Sequence, residues 1–154
     1  MVMTILVDSR EKPRAIRLIL EEFDRQGVEH IRRKLDFADY YNPDNPGIVI
    51  DRKQNLNEIA FNVIQGKARF VREIERCNRA GWHMIVLIEH SSQINTLEDV
   101  IQWKNPRLKE SPLAVSGERL FKILKAMEEF YGIEFQFCGK RQTGKRILDL
   151  LGVR

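Results

Sequence analysis

Three aspartates and a lysine carry the strongest chemical signal in this chain of 154 residues: Asp8, Asp39, Asp51 and Lys53. Hydrolysis of a phosphodiester needs a divalent cation brought to a polyanion, and a nucleophilic water. Hard cations such as Mg²⁺ take carboxylate oxygens and keep several waters, so two or three acids at strand ends suffice. Asp51 and Lys53 close the run Ile48-Val49-Ile50-Asp51-Arg52-Lys53. Its three β-branched residues read as a buried strand, in which alternate side chains share a face. Asp51 and Lys53 therefore project to one side and Arg52 to the other. Taken alone, the acid and the amine read first as a structural ion pair at a strand end, because Asp-x-Lys occurs by chance in most proteins. Asp39 reads equally as a turn residue, and Asp8 as a cap ahead of Pro13.

The elements that must position these residues follow from periodicity. Residues 3–7 read as a short buried strand that stops at Asp8-Ser9-Arg10-Glu11-Lys12-Pro13. Pro13 suits a first helical turn, and Ile16, Ile19, Leu20 and Phe23 follow at helical spacing up to Gly27. Residues 28–41 form one or two strands with Asp36, Asp39 and the Tyr40-Tyr41 pair near their end. The proline-bearing stretch from Asn42 to Gly47 then turns the chain back into residues 48–53. Asn55, with Glu58 three residues on, caps a helix beginning near Leu56. Gly66 interrupts, and a second helix runs to about Arg79. Met84 to Ile88 is the clearest buried strand and ends at Glu89-His90. Thr96 with Asp99 caps a short helix ahead of Pro106, and residues 117–131 form an amphipathic helix stopped by Gly132. Ile133 to Cys138 is a last strand and Thr143 to Leu151 a last helix. Helices interleaved with about five strands place the chain in the α/β class, with a central mixed sheet flanked by helices.

The length allows one domain with a real core and is short for two. At 43% hydrophobic and 31% charged, the composition is that of an ordinary globular protein, and the net charge of +4 tilts it mildly toward anionic partners. Cys77 and Cys138 have no metal-type spacing and read as small buried hydrophobes in a reducing compartment. His30, His83 and His90 have no ligand spacing either. The N-terminus lacks the pattern of a signal peptide, and no run approaches the roughly 20 apolar residues of a membrane span. A cytoplasmic protein, of bacterial or phage origin and without membrane association, is the expectation.

Read together, Val7-Asp8-Ser9-Arg10-Glu11, Ala38-Asp39-Tyr40 and Ile48-Val49-Ile50-Asp51-Arg52-Lys53 resemble the nuclease domain of the XPF-type structure-specific endonucleases. That family is a branch of the PD-(D/E)XK, restriction-endonuclease-like fold. Its pattern reads V-D-x-R-E at a strand end, then G-D-Y, then a strand ending E-R-K-x-x-x-D. The likeness continues through Gly66 and Arg69 at a helix start, a strand closing on Glu89, and Tyr131-Gly132-Ile133 with Phe135 and Phe137. A Thr-led helix follows, so nearly the whole chain is covered. Ala38 stands where the pattern has glycine, Asp51 where it has glutamate, and Asn57 where it has the last aspartate, with Glu58 beside it.

The resemblance implies Mg²⁺ or Mn²⁺ held by Asp39 and Asp51, with Asp8 beside the metal and a water held by Lys53. It implies phosphate contact or bracing from Arg10 and Glu11, and either phosphate contact or a structural salt bridge for Arg52. It further implies one nuclease domain over residues 1–154, acting on branched, flapped or forked DNA in repair or recombination; the expected departure is the absence of the helix-hairpin-helix tail that many family members use to grip DNA and dimerise. The grip on DNA then falls to this domain, to a homodimer or to a separate DNA-binding partner. A catalytically inactive DNA-binding or scaffold subunit of the same fold is the alternative.

Two further patterns bear on function. Arg69, Arg72, Arg76 and Arg79 line one helix face, with Phe70, Val71, Ile74 and Cys77 roughly opposite. Such a stripe either tracks a phosphate backbone or is a solvated face partly neutralised by Glu73 and Glu75. Arg69, which the family pattern also places, is assigned to DNA. Residues 30–34 and 140–146 add basic patches. Gly139 to Lys145 also matches the phosphate-loop spacing G-x-x-x-x-G-K, but Arg146 stands where a Ser or Thr hydroxyl would bind Mg²⁺. Nucleotide binding therefore ranks below the nuclease reading, although this helix start could still hold a DNA phosphate.

Overall fold

Strands that are apolar on both faces need cover on both sides, and the helices supply it. In the computed structural model, which describes residues 2–90 and 93–153, six strands form one sheet in the order β2-β1-β3-β4-β5-β6. They are β1 (Thr4–Asp8), β2 (Glu29–Arg33), β3 (Tyr40–Tyr41), β4 (Ile48–Lys53), β5 (His83–Glu89) and β6 (Glu134–Cys138). β1 runs parallel to β2, the short β3 lies antiparallel between β1 and β4, and β4, β5 and β6 are parallel. The expected mixed sheet flanked by helices is therefore what forms.

Helices α2 (Leu56–Val63), α3 (Lys67–Arg79) and α4 (Gly117–Tyr131) cover one face, packing on Val49, Met84, Val86 and Ile88. Helices α1 (Arg17–Arg25) and α5 (Thr143–Leu150) cover the other, over Ile5, Val7, Ile50, Ile85 and Leu87. Alternation along β4 then fixes where its charged end points. Asp51 and Lys53 continue the face of Val49, toward α2 and α3. Arg52 continues the face of Ile50, toward α1 and α5.

Local signals mostly act where expected. Glu58 N donates to Asn55 Oδ1 at 2.8 Å while Glu58 Oε1 accepts from Gln54 N at 2.9 Å, so the cap of α2 is built from both ends. Gly132 closes α4 at φ 75°. Helix α1 begins later than Pro13 suggests, because Ala15 N and Ile16 N both turn back onto Lys12 O, at 2.9 and 3.3 Å, before regular helix starts. The helix after Thr96 is a 3-10 turn, Glu98–Gln102, which Asn105-Pro106 leaves no length to extend. Cys77 and Cys138 are buried free thiols. Among the described residues no helix is long and apolar enough to cross a membrane.

Candidate active site

β4 is an interior strand, so its charged end is deeply placed: Asp51 is 4% exposed, Arg52 8% and Lys53 9%. Lys53 Nζ lies 3.0 Å from Asp51 Oδ2 and 5.2 Å from the centroid of the Phe70 ring on α3. The first contact is an ion pair by distance only, since Asp51 Oδ2 is buried with no well-aligned hydrogen-bond donor.

The backbone delivers Asp39 to the same place. Its N–H donates to Ile50 O at 2.8 Å and its carbonyl accepts from Asp8 N at 2.7 Å, which ties β1 to β4 at the start of β3. Asp39 Oδ2 accepts from Arg52 N at 2.8 Å. Ala38, just before it, sits at φ 60°, in the left-handed region. That conformation costs an L-residue about 1–2 kcal/mol, which gives the glycine of the resembled pattern a backbone reason. The buried methyl of Ala38 offsets part of that cost, by about 0.8 kcal/mol, and its N–H donates to Glu73 Oε2 at 2.9 Å.

Negative charge outweighs positive at this point. Burial pushes the Asp39 carboxyl well above the usual carboxylate range, reinforced by the charges of Asp51 and Glu11 and opposed by the Arg52 N–H and Lys53. Burial raises Glu73 as well, with Asp51 adding to it. For Lys53 burial acts downward, but Asp51 and Asp39 outweigh it and hold the ammonium above its ordinary value. The residues fit a hard divalent cation: two adjoining carboxylates that repel each other, one with an oxygen lacking an aligned donor. Among the described residues no three His, Cys, Asp or Glu side chains form a metal-binding cluster. Two carboxylates, with waters and substrate phosphate completing the shell, is the form in which Mg²⁺ is commonly bound.

The other expected site residues divide into braces and surface. Asp8 accepts from Arg10 Nε at 2.9 Å and Nη2 at 3.2 Å, and its Oδ1 also accepts from Leu35 N at 3.0 Å. Both oxygens are thus engaged by protein, and Asp8 holds Arg10 at the rim. Arg52 sits on the closed face. Its Nε and Nη2 donate to the two oxygens of Glu11 at 2.9 and 3.2 Å, and Nη1 donates to Glu89 Oε1 at 3.2 Å. Tyr40 Oη donates to Glu11 at 3.1 Å, and Thr143 Oγ1 donates to Glu89 Oε2 at 2.7 Å. Of the two roles open to Arg52 and Glu11, the geometry is that of a buried salt-bridge network.

Arg69 is exposed on α3 and lines an open cleft with Arg10, Arg72 and Arg76. Glu73 was missed by sequence reasoning, which grouped it with the solvated stripe. Its helical offset from Phe70 and Ile74, at the border of the buried face, was the available signal. Asn57 is exposed on α2. The phosphate-loop look-alike has a packing explanation. Residues Lys140–Gln142 form a 3-10 turn, Thr143 serves Glu89, and a Cβ on Gly144 would lie 2.8 Å from Glu22 Cβ. Gly144 is glycine because α5 crosses α1 there.

Comparison with known proteins bears on the family and the fold. The model of the ERCC4 domain family matches residues 7–143. A solved structure of XPF from Aeropyrum pernix superposes with a TM-score of 0.65 at 19% identity, over 97% of this chain and 60% of that one. A complex of XPF from Aeropyrum pernix with DNA gives 0.67 at 20% identity, over 98% of this chain and 64% of that one. The chain thus spans less than two thirds of the length of these relatives, and the likeness shows a shared fold. No curated protein matches it.

Proposed function

The chain belongs to the ERCC4-domain, XPF-type nuclease family, and from that membership we propose that it is a metal-dependent endonuclease of branched, flapped or forked DNA, working in repair or recombination. The observation that carries the reading is the convergence of Asp39, Asp51 and Lys53, with more buried negative charge than the protein itself neutralises. Asp39 and Asp51 are the residues that would hold Mg²⁺ or Mn²⁺, which when bound would supply Lewis acidity at the phosphate and lower the pKa of water. Lys53, kept cationic by the two aspartates, orients the attacking water and offsets charge developing on the phosphate oxygens in line with attack. Arg10, steered by Asp8, and Arg69 bind the flanking phosphates. Arg52, locked between Glu11 and Glu89, keeps the end of β4 rigid and presents its backbone N–H to Asp39.

The decisive experiment incubates labelled flap, fork and linear duplex DNA with the protein in Mg²⁺, Mn²⁺ or EDTA. Cleavage that disappears in EDTA and in Asp51→Ala supports the nuclease. Fork binding without cutting in any metal, unchanged by Asp51→Ala, identifies an inactive DNA-binding subunit instead.

A further inference from the structure

The cleft that holds Arg69 does not end at α3. It has a volume of about 290 Å³ and is lined by Arg10, Arg69, Arg72 and Arg76 with Asp36 and Glu73. Asp36 also lines a neighbouring notch of about 350 Å³, so the two depressions adjoin. The walls of the notch are of a different kind. Trp82 stands between two other rings, meeting Phe37 at 6.1 Å and Tyr41 at 5.3 Å in edge-to-face geometry. All three rings are only partly buried, and exposed Arg33 and Lys34 form the rim. Phe37 stands two residues before Asp39 in the chain, and Val49, which also lines the notch, two residues before Asp51 on the same face of β4.

We propose that this notch receives one unpaired base of a DNA strand whose phosphates follow the arginine cleft. The inference rests on the nuclease reading and adds the part of the substrate that the site recognises. Charge complementarity selects a polyanion, because the two depressions together present six cationic side chains against two acids. The partly open aromatic rings select a base, since any nucleobase has a π-face to offer them. A paired base is hidden in its stack, whereas a base at a flap or fork junction is free to enter. The ladder of arginines on α3, unexplained as a solvated stripe, becomes the phosphate track leading to it.

The test uses the intact protein in EDTA and three labelled probes: single-stranded dT12, an equal-length strand of abasic sites, and blunt duplex. Stacking of a base on aromatic side chains corresponds to roughly tenfold in affinity. The expected result is that dT12 binds about tenfold tighter than the abasic strand. That difference is lost in Phe37→Leu and Trp82→Leu, while duplex binding persists. Trp82 emission in the unaltered protein should change with dT12 and stay constant with the abasic strand, a readout that does not depend on a variant folding; Trp103 is buried elsewhere in the core. Equal affinity for the two strands with unchanged emission overturns the notch and leaves the nuclease reading standing. Failure to bind any of the three probes also overturns the notch, while the nuclease reading is decided separately by the cleavage assay in Mg²⁺ or Mn²⁺. Concentration-dependent self-association that Trp82→Leu abolishes would assign the notch to a second copy of the chain, and also overturns the proposal.

Discussion

Replacing Arg52 by methionine separates a brace from a phosphate ligand. The guanidinium is buried and held by two carboxylates, with contacts of 2.9 and 3.2 Å to Glu11 and 3.2 Å to Glu89. Methionine has a similar unbranched stem and leaves the backbone N–H on Asp39 intact, so what is lost is the charge. Glu11 and Glu89 are then left buried without a counter-ion. Breaking a buried pair this way costs about 3–5 kcal/mol. At about 2–4 °C per kcal/mol for a chain of this size, Tm should fall by roughly 6–20 °C. The pH dependence has a definite sign. Burial already raises Glu89, while Thr143 and Arg52 hold it down, so losing Arg52 raises it further. A carboxyl whose folded pKa exceeds its unfolded one carries no penalty below both values and the full penalty above both. The Tm deficit of Arg52→Met should therefore shrink toward pH 5 and be complete by pH 8. Adding Glu11→Gln and Glu89→Gln in the same chain should recover most of it, because neutral amides tolerate burial better. Thermal melts of the single and triple variants across that range decide the matter. An unchanged Tm in Arg52→Met together with weakened DNA binding would refute the bracing role and place Arg52 on phosphate.

The remaining predictions concern the acid pair and the α1–α5 crossing. In EDTA at neutral pH, Asp39→Asn should raise Tm by about 2–4 °C, a gain of about 1 kcal/mol. It removes a charge disfavoured by burial, Asp51 and Glu11 while keeping an acceptor for Arg52 N. The gain should fade toward acid pH, where the wild-type carboxyl is protonated whether folded or unfolded. In the same variant, cleavage and the Mn²⁺-induced rise in Tm should both vanish; a wild-type response to Mn²⁺ would place the metal elsewhere. Gly144→Ala should cost about 1–3 kcal/mol, because its Cβ would lie 2.8 Å from Glu22 Cβ and 3.2 Å from Ile19 Cα. Thermal melts check this, and calorimetry with ATP should give no binding before or after the change.

Local patterns in the sequence carried the elements well, because capping, glycine stops and apolar periodicity act over a few residues. The Asn55–Glu58 cap, Gly132 and the alternation of residues 48–53 are all of this kind. What stayed hidden depends on contacts between segments distant in the chain. Arg52 had two readings until β5 placed Glu89, and the loop after β1 placed Glu11, on its own side of the sheet. The sequence sets Asp8 beside the metal but says nothing of Leu35 N and Arg10, which engage its oxygens through a pairing set by the path of the chain after β2. The glycine of the phosphate-loop look-alike answers to α1, more than a hundred residues earlier. Ala38 is the reverse case, since the family pattern marked its position before the positive φ supplied the reason.

The end of β4 shows why three charged residues can follow one another in a core. Alternation sends Asp51 and Lys53 to the face of α2 and α3, and Arg52 to the face of α1 and α5. On the second face every charged group is hydrogen-bonded: Arg52 donates to both carboxylates, Tyr40 also donates to Glu11, and Thr143 to Glu89. On the first face the pairing is incomplete, since Asp51 Oδ2 has no aligned donor and the lone ammonium of Lys53 stands against Asp39 and Asp51, with burial and Asp51 raising Glu73 as well. Buried charge without a full set of partners costs stability, and the proposed cation is what would offset that cost here. The fully bonded face supplies the rigidity that lets the other keep its shape. An apolar residue at position 52 would fill the same space, but it would leave the charge of Glu11, which already raises Asp39, without its counter-ion. Arg52 therefore works electrostatically on a site that its side chain never enters.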